Sequence, residues 1–267
     1  MSSSFRLADL GHLLDVRPAI EFAKSPIEDS VNIPFAELSR RIQELPAADQ
    51  ALILADTGED AKSAKEFLNN GGRNCLLTKE FEFLAREEYE QKRLWRPNAF
   101  LEEILPNLKR GRALDLGCGS GRESVLLAGN GFEVVATDTL PDALEKGRDL
   151  ARRYLNSEEY EEAPIEWLQR DLEKDGPPEG LFDLIVSFRY LHRPLLEKAH
   201  ELLNKNGSLV LETFTELHRE KHGKPSSDDH VLNLGEILNL ALGLEVQIAD
   251  EAWRGEIHTG RLWATKP

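Results

Sequence analysis

The spacing of apolar positions changes character along this chain. Before residue 80 the apolar runs are short: residues 12–18, 31–35 and 51–56. Polar stretches and turn residues separate them. Ala51–Asp56 reads as a buried strand, apolar and closed by the turn residues Asp56, Thr57 and Gly58. The stretch after it reads as a helix stopped at Gly71 and Gly72. Residues 80–110 are charged and predict two helices with a break at Arg96-Pro97, because proline removes a backbone donor and disfavours α geometry at the residue before it. From residue 112 the order is strictly alternating. Strands are predicted at 113–117, 133–138, 165–171, 182–188 and 208–214, with helices between them. One helix begins at Pro141, another runs from Pro194 to a stop at Gly207, and a third covers 234–242. Residues 244–253 and 261–266 read as a closing pair of strands. Such βα alternation with fully apolar strands predicts a mostly parallel, doubly wound α/β sheet, preceded by a smaller α/β unit.

Length adds a domain count. The 267 residues fit two domains, placed at 1–80 and 111–267, with 81–110 as a helical linker and lead-in. The formal charge of −15 argues against broad binding to a nucleic-acid backbone, which needs a basic face. No apolar run approaches the ~20 residues that span a bilayer, and the N-terminus, with Asp9 and no apolar core, does not read as a targeting peptide. Two cysteines make neither a disulfide scaffold nor a metal site, so a reducing, cytoplasmic setting is expected. No metal is expected.

Candidate chemistry concentrates after the first strand of the larger domain. Asp115, Gly117, Gly119 and Gly121 alternate there. Glycines at this spacing let the backbone turn tightly and approach a ligand. Arg122 stands where a nicotinamide fingerprint needs a small residue, and the Gly-Lys-Ser/Thr of a P-loop is absent. Asp115 repels a pyrophosphate and suits a cation. Asp138 ends the second strand, where a carboxylate can accept two hydrogen bonds from a ribose diol, and Asp171 follows the third.

This stretch resembles the class I S-adenosylmethionine-dependent methyltransferases motif by motif, over roughly residues 95–267. The resemblance implies S-adenosyl-L-methionine as cofactor. It implies Gly117 and Gly119 along the methionine part, with Gly121 completing the motif, and Asp115 near the amino group. Asp138 would hold the ribose, with Thr139 beside it, and Asp171 and Leu172 the adenine. Ser187, at the end of the fourth strand, would be a further cofactor-binding residue. Arg189, Tyr190 and His192 follow, in the stretch that in this family faces the methyl group. No Asn/Asp-Pro-Pro-Tyr signature of amide or adenine methylation stands there. Arg189 and Tyr190 are candidates to bind an anionic or polar small-molecule acceptor, and His192 is a candidate base. Residues 216–230 read as a lid or acceptor loop, and His218, His222 and His230 as solvated side chains rather than metal ligands. Cys118 reads as a small packed side chain. The softer match of residues 188–194, 212–215 and 223–225 is to a tellurite-resistance-like subgroup.

The first domain resembles rhodanese domains through Asp15-Val-Arg17, Val31-Asn32-Ile33-Pro34 and the loop after the strand at 51–56. The loop departs from that family. Ala55 stands where the persulfide-carrying Cys belongs, and Asp60 where the Arg belongs. Sulfur transfer is therefore not expected, and a docking or regulatory role, with a possible protein partner, is. Two other readings stay open: a non-catalytic cofactor-binding scaffold, and an RNA methyltransferase, motivated by residues 92–96 and Arg152-Arg153 and opposed by the acidic total.

Overall fold

The computed structural model describes residues 12–90, 92–155 and 165–267, and the chain divides into two compact units, Met1–Arg96 and Pro97–Pro267. In the first unit four parallel strands, β1 (His12–Asp15), β2 (Ser30–Asn32), β3 (Leu52–Ala55) and β4 (Cys75–Thr78), pair in the order β2-β1-β3-β4. Helices α1 (Ala19–Lys24), α2 (Phe35–Leu38) and α3 (Glu59–Asn70) connect them. α3 turns Ala61, Ala64 and Leu68 onto a core with Leu14, Val16, Leu52 and Leu54, all buried. Glu59 and Asp60 lie in its first turn, where carboxylates favour the helix dipole.

The helix expected from residue 80 does not form. Among the described residues from 80 to 98, only a 3-10 turn, Arg86–Glu88, interrupts an extended run. Its aromatic side chains tie it down instead. Phe83 bridges to Ile27 and lies under the Arg17 guanidinium at 5.0 Å. Tyr89 meets Phe22 edge-on at 5.0 Å and donates its hydroxyl to the Ser30 carbonyl at 3.0 Å. Tertiary contacts overrule the helical propensity of the charged residues. Within the expected linker, α4 (Ala99–Ile104) is helical and continues into a 3-10 turn at Leu105–Asn107.

The second unit carries a seven-stranded sheet in the order β10-β11-β9-β8-β5-β6-β7. Its strands are β5 (Arg112–Leu116), β6 (Glu133–Asp138), β7 (Ile165–Gln169), β8 (Phe182–Phe188), β9 (Leu203–Phe214), β10 (Glu245–Arg254) and β11 (Ile257–Thr265). β5 to β9 run parallel, and β10 and β11 close the sheet antiparallel, as the final strand pair in the sequence predicts. The helices are α5 (Arg122–Ala128), α6 (Pro141–Tyr154), α7 (Leu172–Asp175), α8 (Arg193–Leu196), α9 (Ala199–Leu202) and α10 (Glu216–His222). The chain winds from β5 outward through β6 and β7, then returns to place β8 on the other side of β5. The strand order thus reverses between β5 and β8, where ligands of open α/β sheets bind.

Two elements of this unit differ from the pattern that the sequence predicts. The helix expected to run to Gly207 stops at Leu202, and β9 already begins at Leu203. Gly207 lies inside β9, where a Cβ would stand 2.8 Å from the Asn204 carbonyl and 3.0 Å from that of Phe182. Close backbone approach, not helix capping, requires this glycine. The segment 234–242 forms a 3-10 helix, Glu236–Ala241, rather than an α-helix.

Candidate functional site

The crevice at the switch point is built from the ends of β5, β6 and β8. After Leu116 the backbone turns left-handed at Gly117, with φ +66°, and a Cβ there would stand 2.8 Å from Tyr190 Cγ. Only glycine allows both the turn and that approach. The loop is stitched to β6. The Cys118 N–H donates to the Thr137 carbonyl, and the Gly119 N–H donates to Asp138 Oδ2, both at 2.9 Å. Asp138 Oδ1 accepts from the Leu140 N–H, also at 2.9 Å. Each carboxylate oxygen thus keeps acceptor capacity after positioning the loop. Gly119 has open space where a Cβ would stand.

Gly121 plays a different part from the other two. It has φ +74° and precedes α5, and a Cβ on it would stand 2.4 Å from the Trp167 ring. Gly147 of α6 faces the same ring at the same distance. The two glycines cut a slot for one indole.

Acids line the floor. Asp115 is 2% exposed and accepts from Ser124 Oγ at 2.5 Å. Burial, reinforced by the neighbouring Glu123 and Asp138, pushes its carboxyl up to about 7. Burial likewise raises Glu123. Burial and these same acids raise the Cys118 thiol far out of the physiological range, so Cys118 stays a packed thiol and no nucleophile.

Other sequence-selected residues fall around this crevice. Asp171 lies at the mouth, where it caps α7: Oδ1 accepts from the Glu173 and Lys174 N–H groups and Oδ2 from Lys174 Nζ at 2.6 Å. The Lys174 bond holds its carboxyl below the usual range. Leu172 beside it is buried, and Thr139 accepts a hydrogen bond on its carbonyl from Gln169 Nε2 at 3.3 Å. Ser187 is fully buried and donates Oγ to the Tyr190 carbonyl at 2.7 Å, which fixes the bend after β8. Tyr190 forms a wall of the crevice. Burial, with Glu173, Asp171 and Asp138 nearby, pushes its phenol up to about 12, so it stays neutral.

His192 precedes α8 and lines a cavity of about 300 Å³ with Glu173, Leu191, Arg193, Pro194, Asp229 and His230. Its Nδ1 is buried without a hydrogen bond. Arg193 is a strut. It grips Glu236 with two nitrogens and donates to the Val231 carbonyl at 2.7 Å and to that of Asp229 at 3.2 Å. Arg189 adopts a left-handed φ of 62°, unusual for a branched-out cation, and its guanidinium lies over the Phe214 ring at 4.1 Å.

The sequence reading missed a buried polar network on the same sheet ends. Glu212 accepts from Thr259 Oγ1 at 2.5 Å and from Asn98 Nδ2 at 2.7 Å, and pairs with Arg261 at 3.3 Å. Burial would raise its carboxyl, but these bonds and the Arg261 charge overcome it and hold it low. Asn98 also caps α4, accepting from the Phe100 and Leu101 N–H groups, and its own N–H donates to Glu123 at 3.0 Å. A carboxylate inside the apolar run of β9 was the available signal.

Residues 216–230 are not one open loop, since α10 occupies the first half. His218 departs from its expected solvated state. It is 8% exposed and stacks on Phe214 at 4.2 Å, with His222 at 4.6 Å from it. His222 and His230 are exposed, as expected. Among the described residues no group of three His, Cys, Asp or Glu is placed to hold a metal ion.

In the first unit the quoted motif residues act as structural pegs. Buried Asp15 binds Arg17 at 2.6 Å, and Asn32 Nδ2 donates to the carbonyls of Asp15 and Arg17. Ala55 is fully buried at the end of β3, and Asp56 faces Lys79 at 3.9 Å.

Comparison with known proteins agrees with both sequence resemblances. A family model described as a methyltransferase domain matches residues 86–233, and one described as a rhodanese-like domain matches residues 6–80. An uncharacterized protein of Schizosaccharomyces pombe, UNK4.09, is 26% identical over 84% of this chain and 82% of its own length. YqeM of Bacillus subtilis, whose methyltransferase name is provisional, is 31% identical over 52% of this chain, a stretch that is 46% of YqeM. The crystal structure of TehB from Haemophilus influenzae shares the fold, with a TM-score of 0.52 at 17% identity over 64% of this chain and 63% of that one. Among the described residues no helix is long and apolar enough to cross a membrane.

Proposed function

Because this chain belongs to the S-adenosylmethionine-dependent methyltransferase family, with a rhodanese-like domain at its N-terminus, we propose that the β5/β8 crevice binds the cofactor and directs its methyl group to a small-molecule acceptor. The observation that carries this reading is the pairing of the left-handed glycine turn with Asp115 beneath it and Asp138 beside it. The residues fit the cofactor. A buried carboxylate faces a ligand ammonium, open space at Gly119 admits a chain against the backbone, and Asp138 retains acceptors for a ribose diol. Asp171 and Leu172 would flank the adenine from the mouth, with Thr139 beside the ribose and Ser187 fixing the bend that carries Tyr190.

When bound, the cofactor supplies an electrophilic methyl on a sulfonium. The chain's part is to orient and desolvate. Asp115, Glu123 and Asp138 set a negative field at the glycine loop that favours a cation, and Tyr190 walls the crevice against water. His192, beside the cavity of about 300 Å³, is the candidate to take a proton from an acceptor lodged there. The first domain has no sulfur carrier at Ala55 and three acids around that loop, so its role is docking or regulation. A reducing compartment suits the two free, buried cysteines.

This reading makes the cofactor affinity depend on pH. Burial pushes the Asp115 carboxyl up to about 7, so below that pH it is neutral and gives a ligand ammonium no counter-charge. Affinity for S-adenosylhomocysteine is expected to rise from pH 5.5 towards 8, at most about tenfold per unit for one proton. Asp115→Asn flattens the profile. Calorimetric titration across this range tests it, and a flat wild-type profile counts against the assignment of Asp115.

A further inference from the structure

The acceptor side also carries the cation Arg189. Arg189 is solvent-exposed at the end of β8, next to Tyr190 on the glycine loop. Among the described residues its guanidinium makes no hydrogen bond and no ion pair. Its contact is the face of Phe214 at 4.1 Å. Phe214 is itself held by buried His218 at 4.2 Å, and His218 by His222 at 4.6 Å. The backbone supports the same placement: the Arg189 N–H donates to the Glu212 carbonyl at 3.0 Å while φ stays at 62°. A left-handed arginine costs roughly 1–3 kcal/mol and persists only where its surroundings enforce it.

We propose that Arg189 recognises a carboxylate on the methyl acceptor, so that the acceptor is an organic acid; this rests on the methyl-transfer reading of the neighbouring glycine loop. A guanidinium held over an aromatic face forms no hydrogen bond to the ring, so its N–H donors stay available to a planar carboxylate, which accepts two of them side by side. The stack fixes the fork before binding, which lowers the entropy lost when the ligand arrives. Glu212 and Glu123 draw the cation to this spot without quenching it. Glu212 is engaged by Thr259, Asn98 and Arg261, and Glu123 by the Asn98 N–H. On the far side of Phe214, His218 sits among like charges. Burial first, then His222 and Arg189, lower the His218 imidazole below its ordinary value, and its buried Nδ1 has no hydrogen-bond partner. A single fork lacks the additional donors that a phosphate's third oxygen takes, which favours the carboxylate.

The test uses the full chain saturated with S-adenosylhomocysteine, titrated calorimetrically with malonate and, separately, with inorganic phosphate. Malonate is expected to bind with a millimolar Kd, more tightly than phosphate. Arg189→Gln is expected to weaken malonate roughly tenfold or more and leave S-adenosylhomocysteine binding unchanged, with Arg189→Lys between the two. If Arg189→Gln fails to fold, Phe214→Leu replaces it, with a several-fold loss expected from removal of the stacking surface. No malonate binding to wild type, equal binding by the variants, or preference for phosphate overturns the proposal while the cofactor reading stands. Failure of wild type to bind S-adenosylhomocysteine removes the cofactor reading and this proposal with it.

Discussion

Replacing Asp138 by alanine is expected to lower the affinity for S-adenosylhomocysteine by about two to three orders of magnitude. Two losses combine. The carboxylate would accept both hydroxyls of a ribose, and hydrogen bonds to a charged group contribute roughly 1.5–3 kcal/mol each. It also anchors the cradle: Oδ2 takes the Gly119 N–H and Oδ1 the Leu140 N–H, both at 2.9 Å. Without it the glycine turn loses its tie to β6, and its amides no longer wait in one geometry. Asp138→Asn keeps the shape and one acceptor oxygen, so it should fall between wild type and alanine. Calorimetry measures all three. A loss below about tenfold for the alanine variant would mean that the ligand does not use this carboxylate.

The largest expected effect on stability comes from Gly121→Ala. Glycine there has φ +74°, a conformation that costs an L-residue roughly 1–2 kcal/mol. The added Cβ would also stand 2.4 Å from the Trp167 ring and 3.2 Å from the Gly147 backbone. The same half-buried indole also packs on Gly147, where a Cβ would stand 2.4 Å from it, so both glycines hold its ring tip. Overpacking of this kind costs about 1–3 kcal/mol, so the total loss is expected at about 2–4 kcal/mol. Gly147→Ala meets the same ring without the backbone strain and should cost less. Urea unfolding of the second unit, followed by Trp fluorescence, checks both. Stability unchanged within about 0.5 kcal/mol for Gly121→Ala would contradict the slot.

Where local chemistry decides the structure, the residues were readable. β6 and β8 end where apolar pattern and the acids or turn residues after them say they should. The Asp-Gly-Gly-Gly loop falls on the switch point because a strand followed by such a turn and a helix has few other places in an α/β sheet. What escaped the sequence depends on distant partners. Residues 80–95 have helical composition, but Phe83 and Tyr89 find Ile27, Phe22 and Ser30 across the first unit and pull the chain straight. Gly207 looks like a helix stop and is a close-approach glycine inside β9. His218 looks solvated in a polar stretch. The i to i+4 spacing of α10 and the aromatic at Phe214 bury it. Gly121, chosen for the cofactor, faces an indole that lies 46 positions further along the chain (167 − 121). At the site, the positions were legible but the division of labour was not: Arg193 is a strut tied to Glu236, whereas Arg189 keeps its donors free.

Methyl-labelled S-adenosylmethionine shows whether this crevice transfers a methyl group to a small molecule. The full chain is incubated with the labelled cofactor and a cell extract, which is then fractionated into small molecules, protein and RNA. Enzyme-dependent label is expected in the small-molecule fraction, retained on an anion exchanger and lost with Asp138→Ala. Label in RNA or protein alone, or cofactor binding with no label leaving the cofactor, would contradict it.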